Sequence, residues 1–202
     1  MTTPADRPRV LTFVPGGPAA PDPPAPLALL PGSFNPLHHG HVELARAAAA
    51  RLGVPVAFEL SVRNVDKPDL DVAETDRRTA QFAGVGPVWV TRAATFAEKA
   101  ELFPGTAFVV GYDTAVRLVD PRYYADDAGR RDAVLARVAA LGCRVVVGGR
   151  LDAAGGFRTW DVGGGPLPEL FVALAEADFR ADVSSTRLRA ELFTAARRGT
   201  VG

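Results

Sequence analysis

The stretch Gly32-Ser33-Phe34-Asn35-Pro36-Leu37-His38-His39-Gly40-His41 contains all three histidines of the chain. It follows a short apolar run at residues 27–30 and leads into an Ala-rich segment, residues 41–52, that ends at Gly53. The apolar run predicts a strand and the Ala-rich segment predicts a helix. The histidines therefore lie where a strand passes into a helix.

The chain beyond this stretch continues to alternate between strand and helix patterns. Strands are predicted at residues 54–62, 88–91, 106–110 and 144–147, and helices at residues 72–82, 96–103, 114–119 and 128–141. The Gly-rich segment 148–165 predicts a loop that could form a hairpin around Gly155-Gly156. Strands separated by helices indicate βαβ units and a parallel sheet. The predicted fold class is α/β, a Rossmann-like doubly wound parallel sheet in a single domain.

The first 26 residues differ in composition from the rest, because they hold eight of the 17 prolines. Proline interrupts both helices and sheet ladders, so we expect residues 1–26 to be a mostly disordered extension before a domain of residues 27–202. The alternative is that the apolar run Val10-Leu11-Thr12-Phe13-Val14 pairs as an edge strand.

Composition limits the classes of function. The 202 residues carry 23 basic and 23 acidic side chains, and zero net charge argues against binding nucleic acid or a membrane surface through bulk electrostatics. There is no apolar stretch of the roughly 20 residues that a spanning helix needs and no secretory signal pattern, so a cytoplasmic protein is expected. The lone Cys143 cannot form an intrachain disulfide or a thiolate zinc site, and its apolar surroundings predict burial.

The histidine stretch is predicted to bind phosphate. Ligands of open α/β sheets bind at the carboxyl ends of strands, where helix N-termini suit anions. Gly32 allows a ligand to approach the backbone and Gly40 permits a tight entry into the helix. His38 and His41, three residues apart, can donate hydrogen bonds to the same phosphate as charge builds in a transition state. The alternatives are a metal site, for which Glu43 is the only nearby carboxylate, and a helix cap with incidental histidines; no metal ligand is predicted.

A second phosphate-binding pattern is Asp182-Val183-Ser184-Ser185-Thr186-Arg187-Leu188-Arg189. Ser and Thr are predicted to cap a helix that runs to about Arg198, and Arg189 is placed to project near its start. Hydroxyls, free amides and a guanidinium together can hold a polyphosphate. Capping alone is the alternative.

These motifs resemble the nucleotidyltransferases that carry a His-x-Gly-His signature, and among them the nicotinamide or nicotinate mononucleotide adenylyltransferases. The similarity extends from about Leu27 to Arg198, and Gly111-Tyr112-Asp113 looks like the Gly-x-Asp that follows the central strand in that family. The resemblance implies transfer of AMP from ATP to a mononucleotide in NAD biosynthesis, with Mg²⁺ and release of pyrophosphate. The implied partners are small-molecule nucleotides.

The resemblance also implies roles for individual residues. His38, His41 and Arg189 would be catalytic, with both histidines on the ATP phosphates. Asp113 would lie beside the ribose or pyridine of a bound nucleotide. The other implied nucleotide-binding residues are Gly32, Ser33, Phe34, Asn35, Gly40, Gly111, Ser184, Ser185 and Thr186.

The acceptor side departs from the family pattern, because the aromatic residues that usually enclose a pyridine ring are not recognisable. Asn64 and Lys67 could reach an acceptor, although a solvated polar turn is an equal alternative. Trp89, like Trp160, is a candidate by residue type alone, and each has packing as its alternative. Three functions therefore stay open: adenylyl transfer to a pyridine mononucleotide, adenylyl or cytidylyl transfer to another small phosphorylated acceptor, and a nucleotide-binding or ATP-hydrolysing relative without transferase activity.

Overall fold

The structure is a computed structural model that describes residues 9–14, 24–63, 68–152, 154–161 and 165–180. The strands are β1 (Val10–Val14), β2 (Ala28–Pro31), β3 (Ala57–Ser61), β4 (Val88–Thr91), β5 (Ala107–Gly111), β6 (Arg144–Gly148), β7 (Arg150–Leu151), β8 (Phe157–Arg158) and β9 (Phe171–Ala173). The α-helices are α1 (His39–Leu52), α2 (Val72–Thr79), α3 (Phe96–Leu102), α4 (Tyr112–Val119) and α5 (Ala128–Ala140). Short 3₁₀ turns occupy Ala80–Phe82, Pro121–Tyr124 and Pro168–Leu170.

Seven strands form one sheet in the order β1-β4-β3-β2-β5-β6-β9. All neighbouring pairs are parallel except β1 and β4, which are antiparallel. The chain moves outward from β2 through β3 to β4 and then returns to place β5 on the other side of β2. Such a reversal creates a crevice at the carboxyl ends of the two strands on either side of it. The fold confirms the predicted α/β class with a mostly parallel sheet.

Helices cover both faces of this sheet, and each face has its own apolar core. On one face, Leu44 and Ala48 of α1 pack with Phe34, Phe58 and Phe82. On the other face, side chains of α3, α4 and α5 pack against the sheet, among them Ala100, Leu118 and Leu135. Along the described part of the chain, no helix is both long enough and apolar enough to cross a lipid bilayer.

A buried ion pair lies within the second face. Glu59 of β3 is 1% exposed, and its carboxylate accepts hydrogen bonds from Lys99 Nζ at 2.8 Å and from Thr91 Oγ1 at 2.5 Å. Lys99 also donates to the carbonyl oxygen of Ala93 at 2.6 Å. The backbone carbonyl of Glu59 meanwhile accepts the N–H of Gly32 at 3.0 Å. Glu59 thus connects the core beneath α3 to the residue that follows β2.

The expectation that residues 1–26 are mostly disordered is wrong for the part that the structure describes near the N-terminus. Val10–Val14 forms β1 at the edge of the sheet, as the alternative proposed. The ring of Phe13 lies 4.9 Å from the ring of Trp89, so the strand is held by side-chain packing as well as by its ladder.

Most other elements lie within one to three residues of their predicted bounds. The first helix begins at His39 rather than at residue 41, so its N-cap is His38. The hairpin expected in the Gly-rich segment is present as β7 and β8. The three-residue strand β9 was not predicted, and the helix predicted up to Arg198 lies outside the described residues.

Candidate functional site

The loop that leaves β2 at the reversal of strand order brings together the first group of predicted site residues. We call residues 32–38 the β2–α1 loop; it contains Gly32, Ser33, Phe34, Asn35 and His38, and Gly40 and His41 follow in the first turn of α1. The backbone of His38 is extended, with φ of −143° and ψ of 166°, as is usual for an N-cap residue. Because α1 begins at the carboxyl end of β2, its first turn lies at the crevice that the reversal of strand order creates.

Phe34 anchors this loop in the core. Its φ is 43°, its side chain is 1% exposed, and its ring lies 4.9 Å from Phe82 and 5.1 Å from the ring of His41. A Cβ atom on Gly32 would lie 2.8 Å from this ring, so residue 32 must be glycine for Phe34 to occupy its place. Phe34 can contact a ligand only through its backbone atoms, whereas its ring supports His41 from below.

His38 and His41 form a stacked pair at the start of α1. Their ring centroids are 3.7 Å apart and their planes are inclined by 22°. The backbone N–H of His38 donates to Nδ1 of His41 at 3.3 Å. Because Nδ1 of His41 accepts this hydrogen bond, the neutral ring carries its proton on Nε2. His41 therefore has a defined N–H donor, as the predicted phosphate contact requires, and His39 is exposed.

Both histidines of this pair favour the neutral form. Burial and, to a smaller extent, the neighbouring His38 together lower the pKa of His41 to about 3. Burial and the neighbouring His39 likewise lower the pKa of His38. At neutral pH a phosphate would therefore meet uncharged N–H donors and the positive end of the α1 dipole rather than two imidazolium cations.

Side chains from α2 and the turn after it hold the β2–α1 loop, and sequence reasoning did not identify them. Arg78 donates to the carbonyl oxygen of Ser33 at 2.8 Å, and Arg77 donates to Oδ1 of Asn35 at 2.8 Å. Gln81 hydrogen-bonds to the backbone of the loop at two further residues. Arg77, Arg78 and Gln81 lie within four positions of one another, so a helix could place them on one face. The sequence offers no other indication that they contact the loop.

Glu74 orients the two arginines. Its carboxylate accepts from Arg77 at 2.6 Å and from Arg78 at 2.8 Å. These hydrogen bonds lower the pKa of Glu74 to about 2, so the carboxylate stays charged over the whole physiological range.

The second group of predicted residues lies at the carboxyl end of β5, next to β2. Gly111 is the N-cap of α4, and Asp113 lies in the first turn of that helix. Arg150 of β7 donates to both carboxylate oxygens of Asp113 at 2.5 Å, and both side chains are largely exposed. Arg150 was not predicted. It lies near Asp113 because Gly148 at the end of β6 pairs with Gly111 of β5, and local sequence does not show that long-range pairing.

Trp89 lies in the core, away from both groups. It is 8% exposed and packs against Phe13 and Phe103 on the α3 face of the sheet, which favours the packing alternative over acceptor binding. Trp160, by contrast, is half-buried and packs against Phe171 and against Tyr112, which belongs to the second group.

Several predicted residues have no described position. Asn64 and Lys67, and the motif residues Ser184, Ser185, Thr186 and Arg189, lie outside the described residues, so their roles stay predictions. Within the ranges that are described, there is no group of three or more His, Cys, Asp or Glu side chains that could hold a metal ion.

Comparisons with known proteins agree with the geometry. The family model described as "Cytidylyltransferase-like" matches residues 29–191, which include the β2–α1 loop, the Gly111-Tyr112-Asp113 turn and the Ser-Ser-Thr motif. A protein of Schizosaccharomyces pombe (strain 972 / ATCC 24843) named "Putative nicotinamide mononucleotide adenylyltransferase" is 28% identical over 116 residues. The match covers 51% of this chain and 46% of that protein.

Proposed function

Because the chain belongs to the cytidylyltransferase-like family of nucleotidyltransferases, we propose that it transfers AMP from ATP to nicotinamide or nicotinate mononucleotide and releases pyrophosphate. The observation that carries this proposal is the stacked His38–His41 pair at the N-terminus of α1. The name of the yeast relative supports the adenylyl donor and the pyridine nucleotide acceptor. Small-molecule nucleotides as partners and a cytoplasmic location belong to the same proposal.

The chemistry needs no covalent intermediate with the protein. A phosphate oxygen of the acceptor attacks the α-phosphorus of ATP, the new P–O–P bond forms, and the bond to the β-phosphate breaks with pyrophosphate as the leaving group. The protein aligns the reactants and neutralises the charge that develops on the phosphate oxygens. Nε2–H of His41 and the free N–H groups of α1 donate hydrogen bonds there, and the tautomer of His41 is already set by its bond to His38.

Uncharged donors suit this reaction for a physical reason. A hydrogen-bond donor lowers the barrier only if it binds the transition state more strongly than the ground state. A donor that binds the phosphate equally strongly in both states does not raise turnover. The low pKa of His41 keeps the ligand-free ring neutral at pH 7, so its Nε2–H is available as a donor when the nucleotide binds. The ring of Phe34, which fits only because residue 32 is glycine, packs against the ring of His41, so the donor is oriented before the substrate arrives.

Mg²⁺ fits this site as an ion that enters with the nucleotide. Mg²⁺ usually keeps several waters and binds substrate phosphates, so it does not need a dedicated cluster of carboxylates. When bound, it would reduce the negative charge of the triphosphate. Ser185, Thr186 and Arg189 would hold the β- and γ-phosphates as the family resemblance implies.

Cytidylyl transfer is the second candidate, because the matching family model is described as cytidylyltransferase-like. The test incubates the protein and Mg²⁺ with ATP or CTP and a panel of acceptors that includes both pyridine mononucleotides, and it identifies products by mass. Formation of a dinucleotide from ATP and a pyridine mononucleotide supports the proposal. Faster turnover with CTP, or ATP hydrolysis without transfer to any acceptor, would replace it with one of the other functions.

A further inference from the structure

Gln81 makes a two-ended contact with the backbone of the β2–α1 loop. Its amide oxygen accepts the N–H of Leu37 at 2.8 Å, and its amide nitrogen donates to the carbonyl oxygen of Phe34 at 3.0 Å. The same nitrogen donates to the carbonyl oxygen of Arg78 at 3.1 Å, which fixes the amide relative to α2. One neutral side chain thus bonds both the N–H of Leu37 and the carbonyl oxygen of Phe34, three residues earlier in the loop.

These two backbone groups lie at decisive points of the loop. Leu37 immediately precedes His38, the N-cap of α1, and Phe34 carries the ring that contacts His41. Buried or half-buried backbone groups outside helices and strands need a partner, and here a single side chain supplies it for both. The contacts of Gln81 therefore bracket the segment that delivers both histidines to the crevice.

The arginines of α2 are less suited to this role. Arg77 is about half exposed and divides its donors between Glu74 and Asn35, and its contact to the loop is with a side chain. Arg78 reaches only the carbonyl oxygen of Ser33, near the start of the loop. Gln81 is half-buried, uncharged and bonded to the backbone on both sides of the Asn35–Pro36 bond.

We propose that Gln81 is a positioning residue that holds the β2–α1 loop in the conformation in which His38 and His41 meet the phosphates of the donor nucleotide. The inference rests on the proposed function, since it takes a nucleoside triphosphate as the ligand of this loop. The hydrogen bonds of Gln81 to the loop are with the backbone of Phe34 and Leu37, and it acts through these two residues.

Three variants test this role. Gln81→Met has similar length but no amide, Gln81→Glu keeps an oxygen that accepts the N–H of Leu37, and Tyr124→Phe is the control. Tyr124 donates a hydrogen bond to the carbonyl oxygen of Leu118 at 2.9 Å, in the turn that leads away from α4, so its loss removes a comparable side chain-to-backbone contact elsewhere. The thermal stability of all variants is measured alongside the kinetics.

We expect Gln81→Met to raise the KM for ATP and lower kcat, each by about fivefold, as the loss of both hydrogen bonds to the loop allows. The KM for the acceptor should stay within about twofold, Gln81→Glu should recover part of the loss, and Tyr124→Phe should change neither constant. If Gln81 were merely structural, Gln81→Met would lower stability without raising the KM for ATP more than the KM for the acceptor.

A second measurement does not depend on turnover. Exchange of the Leu37 amide hydrogen, followed by NMR, should be faster in Gln81→Met than in the wild type and close to the wild-type rate in Gln81→Glu and Tyr124→Phe. If the wild type transfers no nucleotidyl group, the proposed function fails, and ATP affinity measured by calorimetry replaces the kinetic constants. Unchanged Leu37 exchange in Gln81→Met overturns the positioning role, and so does faster exchange with unchanged ATP affinity and kinetics.

Discussion

The loops that follow β2 and β5 begin at neighbouring strands and both lead into helices, yet they are held in different ways. The β2–α1 loop is fixed by the buried ring of Phe34 and by hydrogen bonds from Arg77, Arg78 and Gln81. The turn at Gly111-Tyr112-Asp113 is held at its carboxylate by one exposed ion pair with Arg150. The difference indicates that the first loop is set before a ligand binds, whereas Asp113 can exchange Arg150 for a ligand at small cost.

The largest expected effect concerns the support of the first loop. Phe34→Ala removes a fully buried ring from the core, and we expect it to lower the free energy of unfolding by about 3–5 kcal/mol. Tyr112→Ala, in the second turn, is the matched aromatic control and should lower it by about 1 kcal/mol because Tyr112 is half-exposed. Urea unfolding of both variants makes the comparison. Equal losses would mean that the two loops are held equally well.

The next prediction tests whether the first loop delivers a catalytic donor. His41→Ala removes the Nε2–H donor, and we expect turnover to fall by about 10²–10³, equivalent to roughly 3–4 kcal/mol. The KM for the acceptor should change little if the contact forms mainly in the transition state. His39→Ala, which changes the exposed neighbour, should retain normal turnover.

Steady-state kinetics of both histidine variants, with circular dichroism as a check on folding, measures this effect. A folded His41→Ala variant with near-normal turnover would show that His41 is not catalytic and that the histidines only begin the helix.

The pH dependence of stability tests the environment of the same histidine. The pKa of His41 is about 3 in the folded protein, below its unfolded value near 6.5, so the unfolded chain binds more protons between these values. The contribution of His41 is therefore complete above about pH 6.5 and is lost as the pH falls toward 3. We expect wild type to lose about 2 kcal/mol more than His41→Asn between pH 6.5 and 4.5, because Asn cannot titrate.

The asparagine variant keeps an oxygen that can accept the N–H of His38, so it serves as its own structural control. Chemical unfolding of the two proteins at several pH values gives the difference. Parallel pH profiles would show that His41 is not held neutral by burial.

The smallest expected effect belongs to the second turn. Arg150→Ala removes an exposed ion pair, and we expect a loss of stability below about 1 kcal/mol. Arg180→Ala, which removes the exposed ion pair with Glu176, is the matched control. Thermal unfolding of both variants measures the change. A loss above about 2 kcal/mol for Arg150→Ala alone would mean that Asp113 is fixed as firmly as the β2–α1 loop.

Local patterns were sufficient to predict the fold class and most helices and strands. The Ala-rich run that ends at Gly53 and the β-branched run at residues 144–147 carry their own periodicity and end signals, so their bounds lie close to those of α1 and β6. Strand β1 was predicted to be part of the disordered extension. Its pairing with β4 includes packing of Phe13 against Trp89, a long-range contact that composition does not show. Strand β9 has only three residues, too few for a pattern.

The candidate site was predictable only in part for the same reason. The histidine spacing placed His38 and His41 on one turn, and the structure brings them together as expected. Their neutral state depends on burial beneath the loop, and the role of Gln81 depends on contacts with residues 44 and 47 positions away. Neither feature has a local sequence signal.

Glu59 shows how this arrangement limits protein engineering. A variant library built around the histidine pair alone would omit Glu59, although its carbonyl receives the N–H of Gly32 where the loop begins. A library aimed at the core beneath α3 would include it, because its carboxylate pairs with Lys99 there. Replacing one partner of such a buried pair typically costs about 3–5 kcal/mol. Any shift of the Glu59 backbone that accompanies the repacking would also move the carbonyl that accepts the N–H of Gly32 at the start of the β2–α1 loop. Redesign of either face should therefore keep Glu59 and Lys99 constant together.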